Sequence, residues 1–152
     1  MTIKINNLTK VIKNNTVLNN INLELKSGNI IGLQGRNGSG KTMLLRAIAG
    51  LIFPTSGSIS IDGKIIGKDC EFPESMGIMI ETPDLIGAYN AYQNLKVLSD
   101  LRGNVSSGEI NSLIELVGLS KDSHKKFRQY SLGMKQKLGI AAAFLGSPDL
   151  LI

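Results

Sequence analysis

From its first residues the chain alternates polar and apolar positions. Thr2, Lys4 and Asn6 interleave with Ile3 and Ile5, and residues 17–25 put Ile21, Leu23 and Leu25 on one face. A period of two predicts half-buried antiparallel strands in both segments. Ser27-Gly28 is a turn, and residues 29–33 form a short continuous apolar run, the pattern of a strand covered on both faces. A glycine-rich loop follows. Leu44, Leu45, Ile48 and Leu51 then fall at helical spacing and predict a helix over about 41–51, closed by Gly50 and Pro54. Residues 58–61 and 64–66 flank Asp62-Gly63, a strong hairpin signal. Residues 76–80 read as another buried strand. Beyond Pro83 the period changes to 3.6 and predicts helices over 90–102, 107–117 and 135–145. Residues 150–152 open a further buried strand.

Composition narrows the function classes. The 152 residues suit one domain, or two small ones, and 42 % apolar content excludes wholesale disorder. The single cysteine, Cys70, allows no internal disulfide and reads as a bystander; the single histidine, His124, removes His-rich zinc sites. A net charge of +5 suits anionic ligands without singling out nucleic acid. The absence of tryptophan argues against stacking platforms for single strands. Lys121, Lys125, Lys126 and Arg128, around His124, read as a solvated loop before a helix. The N-terminus lacks the apolar core of a signal peptide, and no apolar run approaches the roughly 20 residues that span a bilayer. The chain reads as soluble and intracellular, with any membrane role going through a partner.

The sharpest chemical signal is Gly35-Arg36-Asn37-Gly38-Ser39-Gly40-Lys41-Thr42, which fits G-x-x-x-x-G-K-S/T between an apolar strand and a helix. Glycines let successive backbone N–H groups point into one hollow, and the positive end of the next helix adds to it. Lys41 is positioned to reach β- and γ-phosphates, and the Thr42 hydroxyl to bind Mg2+. The chain therefore binds a nucleoside triphosphate, and the motif alone does not say which one.

The surrounding segments resemble the nucleotide-binding domain of ABC transporters over essentially the whole chain. Pro54-Thr55-Ser56-Gly57-Ser58-Ile59 with Asp62-Gly63 resembles that family's hairpin. Tyr130-Ser131-Leu132-Gly133-Met134-Lys135-Gln136-Lys137-Leu138 resembles its signature segment, and Pro148-Asp149-Leu150-Leu151-Ile152 the approach to its Walker B carboxylates. The residues agree at Ser131, since a serine that opens a helix is a good N-cap beside an anion-attracting end. The resemblance implies an α/β P-loop NTPase fold with an N-terminal antiparallel β subdomain and a helical lobe. It divides the chain into a core lobe over 1–88, a helical lobe over 89–144 and a return to the core over 145–152. It implies ATP and Mg2+ as ligands, with Thr42 and Glu81 as metal ligands. Ser131 and Gly133 would face the γ-phosphate of ATP held by a second, head-to-tail copy. A transmembrane permease would dock near residues 81–98, placing the protein at the inner face of the cell membrane with no nucleic-acid partner.

Departures from the family pattern sharpen the assignment. Leu132 replaces the usual glycine, Met134 the usual glutamine, and Glu81 the glutamine that contacts Mg2+ and the attacking water. Together they resemble the branch that exports peptide antibiotics such as bacitracin and lantibiotics. The family stacks adenine on an aromatic residue after the first strand. Here that position is close to Ile12, and no aromatic lies between Met1 and Leu51. The Walker B aspartate, the glutamate after it and a late histidine have no counterpart up to Ile152. This predicts a fold incomplete at the C-terminus, with the 29–33 strand short of neighbours, and a 152-residue chain that is inactive alone. The rival readings are a soluble ABC-type ATPase acting on nucleic acid or ribosomes, and a non-catalytic nucleotide-binding fragment.

Overall fold

The first alternation becomes a long antiparallel pair. The computed structural model describes residues 1–103 and 105–152 and places β1 at Thr2–Ile12 and β2 at Asn15–Lys26. Lys13 and Asn14 join them with φ of 47° and 66°, the two-residue turn whose twist matches that of paired strands. Ile3 pairs with Leu25 and Ile5 with Leu23, and Ile3, Ile5, Leu8 and Leu18 are buried. The other edge of β1 takes β3, Ser56–Ile61, which turns at Asp62-Gly63 into β4, Lys64–Ile65. The sheet order is β2-β1-β3-β4. Asp62 (φ 48°) and Gly63 (φ 85°) form the expected hairpin turn, and the Asp62 carboxylate accepts the Thr2 amide at 2.6 Å.

Helix α1 spans Lys41–Ile48, three residues shorter than its apolar spacing predicts. Gly50, at φ 74°, ends it, and the Gly50 and Leu51 amides donate back to the carbonyls of Ala47 and Arg46. That closure satisfies the last helical carbonyls and turns Leu51 out of the apolar stripe, so it is exposed.

The strand expected over 29–33 does not form. Among the described residues no strand pairs with it, and a doubly covered strand exists only through its neighbours. Ile30 is fully exposed, with Ile31 half exposed.

The chain divides into two compact units, Met1–Glu74 and Ser75–Ile152. The second holds β5, Met76–Gly77, parallel to β6, Leu150–Leu151. The strand expected over 76–80 contracts to these two residues, and further bonds run from the Leu150 amide to the Ser75 carbonyl, from the Ile152 amide to the Gly77 carbonyl and from the Met79 amide to the Ile152 carbonyl. Three helices build the rest: α2, Ala91–Arg102; α3, Ser107–Leu116; and α4, Leu132–Phe144. Their core contains the fully buried Leu95, Ile110, Leu138 and Ala141, with Phe127 and Tyr130 against it. Each large aliphatic removed from water there contributes roughly 1.5–3 kcal/mol. Asn90 and Gln93 form a reciprocal cap on α2, and Ser106 caps α3. α4 starts three residues before its apolar period predicts, because Ser131 caps it and Leu132 points outward. No described helix is long and apolar enough to cross a membrane.

Candidate functional site

In the first unit, the phosphate-loop motif leads into α1. Ser39 N–H donates to the Arg36 carbonyl at 3.2 Å, and Gly38 and Gly40 take φ of 80° and 91°. These left-handed conformations are why glycine is needed at both positions. Gly40 is the N-cap residue of α1. Among the described residues no side-chain cap bond is made at this end of the helix, and no acidic residue occupies its first turn. The positive end of α1 is thus left for an anion from outside the chain.

Gly40 is also wedged against β2. A β-carbon there would lie 2.6 Å from the Val17 carbonyl oxygen and 3.0 Å from a Leu18 methyl. The sheet therefore fixes the base of the loop from one side. Lys41 folds its ammonium back into the loop, donating to the carbonyls of Gly35 at 2.7 Å and Arg36 at 2.9 Å. These bonds hold a cation in the space that the loop encloses. Thr42, next on α1, is exposed, and its hydroxyl is a hard oxygen donor of the kind Mg2+ prefers. Gly35, Arg36, Asn37, Gly38, Ser39, Lys41 and Thr42 are thus brought together as one loop. Ile12 ends β1, pairs with Asn15 and is partly exposed beside Val11, presenting an aliphatic surface.

The remaining sequence-derived residues lie in the second unit. Glu81 is exposed in the bend after β5. Ser131 caps α4, accepting the Met134 amide at 3.3 Å. Gly133 is exposed on the first turn, with nothing within 4 Å of where a β-carbon would sit. Leu132 beside it is 62 % exposed, so this turn presents backbone and one apolar side chain to solvent. Tyr130, just before the cap, is buried, and its hydroxyl donates to the Asp122 carbonyl at 3.1 Å. Burial first, and the Asp122 charge second, push its phenol above the ordinary tyrosine value. His124 is exposed in the basic loop, as its sequence context suggests.

One residue escaped the sequence reading. Asn94 is 2 % exposed and holds the segment before α2 by four side-chain hydrogen bonds. Its signal was there: a polar residue four positions after the Asn90 cap, beside the apolar Leu95, falls on the buried face.

Comparison with known proteins decides the family. A profile described as ABC transporter matches residues 18–152. The chain belongs to the ABC transporter family. Its fold is that of an ATP-binding cassette. It superposes with a TM-score of 0.86 and 26 % identity on a dimeric ATP-binding cassette in a post-hydrolysis state bound to ADP and Pi, covering 98 % of this chain and 72 % of that one. The ABC relatives include the uncharacterized ABC transporter ATP-binding protein YybJ of Bacillus subtilis, 49 % identical over 99 % of this chain and 69 % of its own length. The bacitracin transport ATP-binding protein BcrA of Enterococcus faecalis is 44 % identical over 99 % of this chain and 49 % of its own. The lantibiotic transport ATP-binding protein SrtF of Streptococcus pyogenes is 39 % identical over 99 % and 64 % respectively. The ABC chain thus spans about half to two thirds of these relatives' lengths.

Proposed function

We propose that this chain is the nucleotide-binding part of an ATP-binding subunit serving the export of a peptide antibiotic or drug. The observation that carries the reading is the loop at Gly40. Its left-handed glycine, wedged on β2, leaves the leading amides of α1 without a side-chain acceptor, beside the Lys41 ammonium. A triphosphate supplies the anion this arrangement lacks. The named relatives that transport bacitracin and a lantibiotic support the substrate class.

In this reading the loop amides cradle the β-phosphate, and Lys41 leaves the Gly35 and Arg36 carbonyls for the β- and γ-oxygens. Thr42 and Glu81 are the metal ligands from this chain. Mg2+, when bound, supplies charge neutralisation at those oxygens. Ser131 and Gly133 present the N-terminal turn of α4 to the γ-phosphate of a second, head-to-tail copy, and Ile12 packs on the base. The dimeric cassette among the structural relatives supports this pairing. The lobes are a core over 1–88, a helical lobe over 89–144 and a return over 145–152. Docking of a permease on residues 81–98 holds the subunit at the inner membrane face.

Amide resonances test the binding mode. Added MgATP should shift the Gly38, Gly40 and Thr42 amides first and farthest. Shifts confined to other parts of the chain would contradict the assignment.

A further inference from the structure

Glu81 and Ser131 lie far apart in sequence, yet the segments that carry them are bonded together. The chain leaving Glu81 runs through Ile86, Gly87 and Tyr89 into the Asn90 cap of α2. Two sets of hydrogen bonds hold this stretch. From one side comes Asn94, whose amide oxygen accepts the Ile86 N–H at 2.8 Å. Its amide nitrogen faces the carbonyls of Ile86 at 3.2 Å, Tyr89 at 3.4 Å and Asn90 at 3.0 Å. From the other side, the Phe127 amide donates to the Tyr89 carbonyl at 2.8 Å and the Arg128 amide to the Gly87 carbonyl at 3.1 Å.

Little slack separates that second set from the signature serine. Phe127–Gln129 is a single tight turn. The Gln129 side chain accepts the Lys126 amide at 2.9 Å, and the Tyr130 amide donates to Phe127 at 3.1 Å. Tyr130 is pinned through its hydroxyl to Asp122, and Ser131 follows. Asn94 is buried with its hydrogen-bonding groups partnered, and a buried amide released from such partners is costly.

We infer that Asn94 is a positioning residue: it pins residues 86–90 as a strut that ties the Glu81 segment to the turn before Ser131. The Gly87–Arg128 and Tyr89–Phe127 bonds then set the position of the turn that leads into the α4 N-terminus. The functional half of this inference rests on the reading of Ser131 as a phosphate contact. The strut itself does not.

The test is amide exchange, read residue by residue in the full chain. In the wild type, the Phe127 and Arg128 amides should be protected although they lie outside the long helices; free exchange at both would overturn the strut. Asn94→Ala, and Asn94→Asp as a second variant, should speed exchange at Phe127, Arg128 and Met134 by at least about tenfold, with Leu138 still protected. Ser99→Ala is the control. Ser99 is equally buried in α2 and donates to the Val105 carbonyl, away from the strut. It should leave those three amides unchanged. Equal acceleration in Ser99→Ala, or none in either Asn94 variant, would overturn the proposal.

A second readout separates positioning from packing. The Asn94 variants should keep the wild-type affinity of the phosphate loop for MgATP and lose MgATP-dependent association of two copies, by about tenfold. Association lost equally in Ser99→Ala overturns the positioning role. A wild-type chain that binds MgATP and never associates counts against the reading of Ser131, while the exchange data decide the strut.

Discussion

The carbonyl oxygen of Val17, in β2, lies 2.6 Å from the point that a β-carbon on Gly40 would occupy. The antiparallel sheet and the start of α1 are therefore fitted to each other through a residue with no side chain. Gly40→Ala meets two penalties there, a left-handed φ of 91° and a collision with backbone that cannot swing aside. A non-glycine residue in that region costs of order 1–3 kcal/mol before any clash. Chemical denaturation of Gly40→Ala should show the first unit destabilised by at least this much. MgATP affinity should fall more than about tenfold.

Ser131→Ala tests the α4 cap. Removal of a serine N-cap costs about 1 kcal/mol, and here it frees the Met134 amide. Thermal or urea unfolding of the second unit should register that loss. Nucleotide affinity at the phosphate loop should be unaffected, while MgATP-dependent association of two copies weakens. A drop in loop affinity equal to the drop in association would place Ser131 at the wrong nucleotide.

Base selectivity should be weak. Ile12 would offer an aliphatic contact, and no aromatic residue lies between Met1 and Leu51 to stack on the base. ATP and GTP should compete within about tenfold of each other, roughly 1.4 kcal/mol. Ile12→Tyr should tighten both, by up to about 1–3 kcal/mol of stacking. A hundredfold preference for ATP in a competition titration would mean that another residue reads the base.

How much of this was legible in the sequence depends on the range of the forces involved. The phosphate loop and the Asp62-Gly63 hairpin were readable because they are local: backbone conformation at Gly38, Gly40 and Gly63 is written in residue type. The helices of the second unit were readable by period. Their ends were not, because Gly50 and Ser131 set them by capping, which overrides where the apolar stripe stops. The apolar run at 29–33 carries the pattern of a covered strand, but a strand is a property of its neighbours, and none of the described residues pairs with it. The helical period puts Asn94 on the buried face beside Leu95, but its bonds to Ile86, Tyr89 and Asn90 belong to a loop whose path no period predicts.

Alkaline pH should loosen the second unit. The Tyr130 phenol is raised above its ordinary value mainly by burial, so the folded state favours the neutral form. Its contribution is fully present below the unfolded value near about 10 and is lost as pH rises through and beyond it. Unfolding of the second unit followed from pH 8 to pH 11, a window set around that value, should show this decline. Tyr130→Phe should flatten it while losing the hydroxyl bond to Asp122. An equally steep decline in Tyr130→Phe would assign the effect elsewhere.

The central claim is that the loop from Gly35 to Thr42 holds a triphosphate through Lys41. Calorimetric titration of MgATP into the wild type and into Lys41→Ala measures it most directly. Lys41 carries the ammonium that sits between the Gly35 and Arg36 carbonyls, and its loss should weaken MgATP by at least about a hundredfold, on the order of 2.7 kcal/mol, while the chain stays folded. Equal affinity in the two proteins would contradict the claim.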